Sequence, residues 1–194
     1  DGTLIATVTA ADADAVELAL STADRLYRDR DLWLKPAKRM EILEKTASIM
    51  SERAEELAVE AAREGGKPLI DSRVEVARAI DGVRNCIEVL RTQAGQEIPM
   101  NLNPASEGKF AVTRHEPIGI VVAVSAFNHP LNLIVHQVGP AVATGCPVIV
   151  KPAEDTPLSC FRFINILQEA GLPEEWCQSL IVKNLGNATK LVTD

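Results

Sequence analysis

Residues 118–150, IGIVVAVSAFNHPLNLIVHQVGPAVATGCPVIV, change rhythm twice. Ile118 to Val124 is a continuous apolar, β-branched run preceded by Pro117, the pattern of a strand buried on both faces. A helical stretch follows from Pro130 to Thr144 and stops at Gly145. Pro147 to Val150 then supplies a second apolar strand. The loop KPAEDTP (151–157) leads into a predicted helix from Leu158 to Ala170, which ends at Gly-Leu-Pro, and SLIV (179–182) is the predicted third strand. Strand, helix, strand, helix, strand with short connections implies a right-handed parallel βαβαβ unit, half of a doubly wound nucleotide fold.

Upstream the character differs. Residues 1–97 carry 14 Lys/Arg and 19 Asp/Glu, whereas residues 98–194 carry 6 and 8, so solvated helix faces give way to buried strands. Three helices are predicted in the first half. One starts after Asp12 or Asp14 with Val16, Leu20, Ala23 and Tyr27 on a stripe. The second starts at Pro36 and places Met40, Leu43, Ala47, Met50, Ala54, Leu57 and Ala61 at three-and-four spacing until EGGK (64–67) stops it. The third aligns Ile70, Val74, Ala77, Ile80, Val83, Ile87 and Leu90. Residues 95–117 are rich in turn formers, and KFAVTRHE (109–116) fits one strand of a hairpin leaving the main body. The expected fold is therefore α/β: N-terminal helices packed on a partial doubly wound, Rossmann-like parallel sheet, with a projecting β-hairpin. Expected boundaries are 1–96 for the helical part, 97–116 for the hairpin and 117–194 for the βαβαβ half.

Composition narrows the function. Hydrophobic residues make up 46% and charged residues 24%, the balance of a globular chain, and no apolar run reaches the length of a membrane span. A net charge of -7 disfavours a nucleic-acid partner, which needs a basic face. The N-terminus lacks the basic and apolar regions of a signal peptide, and the absence of an initiator Met suggests a start within a longer reading frame. Cys86, Cys146, Cys160 and Cys177 form no C-x-x-C pair and sit in mostly apolar surroundings, as reduced core residues of a cytoplasmic protein do. His115, His129 and His136 have no metal-ligand spacing, so no metal site is expected.

Ligands of such a fold bind outside the carboxyl ends of its strands. SAFNHP (125–130) occupies that end of the first strand and KPAE (151–154) that of the second. A G-x-G-x-x-G phosphate turn is absent, so a dinucleotide must be held unusually. Glu154 follows the second strand where an acidic group accepts from adenosine ribose hydroxyls, and it repels a 2′-phosphate, which favours NAD over NADP. Lys151 can donate to the same ribose; alternatively the two form a solvated loop ion pair. Asn128 has three readings: a turn residue, an N-cap for the helix starting near Pro130, or an oxyanion donor through its carboxamide.

Residues 116–160 resemble the aldehyde dehydrogenase superfamily. Four pieces carry this in order: E-P-x-G-x-V, the N-x-P turn, P-A-x-A-x-G and K-P-x-E-x-T-P. REGGKPLIDSRVEV (63–76) and EAGLPE (169–174) extend the likeness over essentially the whole chain. The resemblance implies NAD(P)-dependent oxidation of a small aldehyde to an acid through a cysteine thioester. It assigns the oxyanion contact to Asn128, the ribose contacts to Lys151 and Glu154, and the nicotinamide side of the cleft to Ser125, Ala126 and Phe127. It also implies a homodimer or homotetramer joined through the 97–116 hairpin. Phe127 stands where many members have Trp, Ala126 where many have Pro, and Cys146 where Asn is frequent.

The family's G-x-x-x-x-G turn contacting the cofactor, general-base glutamate and nucleophilic cysteine have no counterpart in these residues. The expectation is a cofactor-side fragment, inactive alone, whose half sheet has an unpaired edge and an uncovered apolar face. The alternatives are an acylating, coenzyme A-dependent member, a non-catalytic truncated assembly module, and an unrelated helical adaptor fused to the βαβαβ unit.

Overall fold

Side chains alternate across a strand, and in the strand Val148–Lys151 (β4) that alternation organises the molecule. Val148 and Val150 enter one cluster and Ile149 another, and none of the three is exposed to solvent. The computed structural model describes residues 2–194. Helices α1 (Ala13–Arg28), α2 (Pro36–Glu52), α3 (Ala54–Gly65) and α4 (Leu69–Thr92) precede a small hairpin of β1 (Glu97–Ile98) and β2 (Ala111–Val112). Then come β3 (Val121–Val124), α5 (Pro130–Thr144), β4, α6 (Leu158–Glu169), β5 (Cys177–Ser179) and α7 (Leu185–Thr193). The three long-range strands form a parallel sheet in the order β3-β4-β5, with Val121 opposite Val148 and Val148 opposite Cys177. One face packs on α5 and α6, backed by α2, α3 and α4; the other packs on α1 and α7.

Four expectations are corrected. The stripe from Pro36 to Ala61 belongs to two helices, divided at Arg53, where ψ is 19°. Leu57 and Ala61 continue the buried stripe of Met50, so spacing alone cannot reveal the break. The first strand is paired only over Val121–Val124, and the third is Cys177–Ser179 in place of 179–182. Past β5, the Ile181 carbonyl accepts from Ala11 N–H at 2.7 Å, so Ile181 and Val182 are buried outside the ladder. In α4, Ile70, Val74 and Ala77 face solvent, and Ser72, Glu75, Val76 and Ala79 are buried in their stead. The helix is rotated so that Glu75 reaches α5. Finally, the second sheet face is covered at β4 by α1 and α7, although β3 remains an edge with Val124 half exposed.

The carboxyl end of α5 is fastened from α2. Arg39, buried, donates from Nη1 to the Ala143 carbonyl at 2.5 Å, placing a cation at the negative end of the helix dipole. Burial lowers the Arg39 pKa from its ordinary value. Gly145 ends α5 in the left-handed region (φ +86°), and a Cβ there would lie 2.7 Å from the same Nη1. The hairpin carries exposed Leu102, Phe110 and Val112. Among the described residues no helix is long and apolar enough to cross a membrane, and no group of His, Cys, Asp and Glu has metal-site geometry.

Candidate active site

The ladder between β3 and β4 closes with Ser125 N–H donating to the Lys151 carbonyl at 3.0 Å. Both strands therefore end at one level, and the 125–129 and 151–157 loops leave side by side. Thr156 Oγ1 donates to the Phe127 carbonyl at 3.3 Å and ties the two loops together. Ser125 is buried, while Ala126, Phe127 and Asn128 are exposed.

The Asn128 side chain makes no hydrogen bond with the described residues, whereas the backbone carbonyl of Asn128 accepts from Lys67 Nζ at 3.4 Å. Its reading as a side-chain N-cap is therefore corrected. The N-cap residue of α5 is His129, and it makes no capping side-chain bond either. The free N–H groups of Leu131 and Asn132 donate instead to Glu75 Oε1 of α4, at 2.8 and 3.0 Å. Glu75 Oε2 accepts from Lys67 Nζ at 2.5 Å, and the Glu75 side chain is fully buried.

The next helix is held in the same way. Glu64, at the end of α3, accepts from Leu158 N–H at 2.7 Å, Ser159 N–H at 2.9 Å and the Ser159 hydroxyl. Burial pushes the Glu64 pKa up, against the lowering effect of those three hydrogen bonds. EGGK (64–67) is therefore more than a helix stop. Its two charged ends reach the starts of both α5 and α6, and Gly66 makes the turn between them in the left-handed region at φ +66°.

Lys151, half-buried, ends β4, and Glu154, exposed, lies in the turn before α6. The two form no ion pair with each other within 4 Å among the described residues, so the solvated-pair alternative is not realised. Glu154 borders an open cleft of about 460 Å³, shared with Ile5, Glu64, Asp155, Ile181 and Lys183. Asn128 borders a separate depression with Lys67, Arg78 and His129. Asn128 and Glu154 thus lie on neighbouring loops and border different depressions.

Glu64, Lys67, Glu75 and Thr156 escaped the sequence reading. Glu75 lies in register with Val76, Ala79, Ile80 and Val83 on the buried helix face, a register that the apolar period alone does not favour over that of Ile70 and Val74. All four cysteines are free and buried, as expected. Burial pushes the Cys86 thiol up to about 11 and the Cys177 thiol up to about 12, and raises Cys160 further. Thiols so raised are not thiolate nucleophiles near neutral pH.

A parallel βαβαβ sheet flanked by helices, with polar loops at the strand carboxyl ends, is half of a doubly wound nucleotide-binding architecture. A model of the aldehyde dehydrogenase family matches residues 1–194, and the chain belongs to that family. It is 36% identical over 175 residues to the 3-sulfolactaldehyde dehydrogenase of Priestia megaterium, covering 90% of this chain and 36% of that protein. It superposes on aldehyde dehydrogenase 21 from Physcomitrella patens, solved in complex with the reaction product succinate, with a TM-score of 0.88 and 33% identity. That match covers 96% of this chain and 39% of the other. The glyceraldehyde-3-phosphate dehydrogenase GapN from Methanocaldococcus jannaschii, complexed with NADP, gives a TM-score of 0.83 and 31% identity, over 93% and 39% of the two chains. The chain thus spans little more than a third of the length of these relatives.

Proposed function

We propose that this chain forms the cofactor-side and oxyanion-side part of an NAD(P)-dependent aldehyde dehydrogenase that oxidises a small aldehyde to a carboxylic acid through a cysteine thioester. The observation that carries this is an exposed, unbonded carboxamide, Asn128, one loop away from Lys151 and Glu154 at the ends of adjacent parallel strands. A donor of that kind stabilises the negative oxygen that develops when a nucleophile adds to a carbonyl. The exposed Glu154 carboxylate fits the hydroxyl pair of a ribose, with Lys151 donating to the same sugar. The first turns of α5 and α6 fit no pyrophosphate, because Glu75 and Glu64 already accept from their free N–H groups. The cofactor is accordingly held from this side by its ribose, with Ser125, Ala126 and Phe127 along its nicotinamide end. When bound, the nicotinamide supplies the hydride acceptor. The hairpin at 97–116, with its exposed apolar side chains, serves assembly into a homodimer or homotetramer.

Two measurements test this. The four cysteines are buried and none stands at the carboxyl end of a strand, so the 194 residues alone are expected to form no NADH from a panel of aldehydes; turnover by them would overturn that assignment. Glu154 is read as favouring NAD through charge-assisted acceptance from the ribose and repulsion of a 2′-phosphate. In the full-length protein, Glu154→Gln is expected to shift the NAD/NADP ratio of kcat/KM towards NADP by about 10- to 100-fold, the worth of one hydrogen bond to a charged group. An unchanged ratio would remove Glu154 from the cofactor site.

A further inference from the structure

We propose that Glu75, held by Lys67, is a positioning residue for Asn128. By occupying the free N–H groups of α5's first turn, it keeps the Asn128 carboxamide from folding back to cap the helix and leaves it available to substrate. The proposal rests on the reading of Asn128 as the oxyanion donor.

Burying a carboxylate and an ammonium is costly even when they pair, and a helix start can be satisfied far more cheaply from its own flanking residues. Asparagine is among the best capping types, and Asn128 stands immediately before the N-cap of α5. Yet its side chain is left unbonded, and a fully buried glutamate from another helix takes both N–H groups.

The neighbouring helix is held in a parallel way. At α6 the N-cap position is Pro157, which has no side chain able to cap, so the remote carboxylate of Glu64 has a local reason. At α5 the N-cap position is His129, which makes no capping bond, and one residue earlier the Asn128 carboxamide stays unbonded, whereas Thr156, at the matching place before α6, donates to the Phe127 carbonyl. Lys67 adds a second constraint. The ammonium that pairs with Glu75 lies 3.4 Å from the Asn128 carbonyl and 3.3 Å from His129 Nδ1, fixing the backbone from which the carboxamide projects. Glu75 touches no atom of the proposed reaction centre and acts through this geometry alone.

The test is a double-mutant cycle in the full-length protein. Glu75→Leu is expected to lower kcat by about tenfold or more, since small misplacement of a catalytic group is costly, with KM for aldehyde and cofactor nearly unchanged. In an Asn128→Ala background the same change is expected to lower kcat no further. Glu75→Gln, which keeps an acceptor oxygen, is expected to recover most of the loss. Unchanged kcat in a folded Glu75→Leu protein, or losses that multiply in the double variant, would overturn the proposal.

Should Glu75→Leu fail to fold, Glu75→Gln carries the cycle. Its smaller loss must vanish when Asn128 is Ala, and its persistence would make Glu75 merely structural. Normal turnover in Asn128→Ala alone is a different outcome. It strikes the oxyanion reading itself, and the positioning role falls with it.

Discussion

Asn128→Ala in the full-length protein is expected to lower kcat by about 10²–10³, or about 2.7–4 kcal/mol of transition-state stabilisation, with little change in cofactor affinity. The size follows from how little else the side chain does. It is exposed, it makes no hydrogen bond with the described residues, and Glu75 already satisfies the helix start that it could have capped. Truncation therefore removes no packing and orphans no buried N–H, so folding stability should change by less than about 0.5 kcal/mol, as for other surface substitutions. A kcat loss without a stability loss separates chemistry from scaffold. Steady-state kinetics beside a thermal melt reads both, and a variant that melts early with normal turnover would make Asn128 structural.

Phe163→Ala is expected to destabilise the fold by about 3–5 kcal/mol, the usual cost of emptying a fully buried aromatic site. Phe163 lies on α6 with none of its surface exposed, within the cluster that joins the sheet to α2–α5. Domains of this kind are stable by only about 5–15 kcal/mol, so this one change removes a large share. Phe127→Ala is the matched control. The same deletion at a side chain 61% exposed should cost less than about 0.5 kcal/mol. Urea midpoints for the two variants, compared at unchanged slope, decide the matter. A Phe163 variant as stable as the Phe127 variant would mean that the α6 contact with the sheet is not closely packed.

Much of this was legible in the chain. The run Ile118 to Val150 marks strand, helix and strand because burial on both faces, a proline at a helix start and a glycine past its end are local signals. Asn128, Lys151 and Glu154 could be singled out because βαβ connectivity sends every loop at the strand carboxyl ends to one side of the sheet. The register of α4 was not legible. Ile70 and Val74 fit the apolar period as well as Val76 and Ala79 do, and only the demand of a distant helix start turns Glu75 inward. The break at Arg53 was hidden for a similar reason, since a stripe that resumes after a kink keeps its spacing.

Local patterning by itself thus determined the class of fold, the alternation of its strands and helices along the chain, and the loops that carry the candidate site. It did so because hydrophobic period, turn chemistry and chain connectivity act over a few residues at a time. Tertiary structure decided how those loops are held. Glu75 meets Leu131 across 56 positions, Glu64 meets Leu158 across 94, and Arg39 meets Ala143 across 104. Each contact neutralises the end of a helix whose own flanking residues leave it unsatisfied, and no local pattern announces which remote charge will arrive. Only packing brings those partners together, because a helix end buried without water must find its hydrogen bonds wherever the fold places a charge.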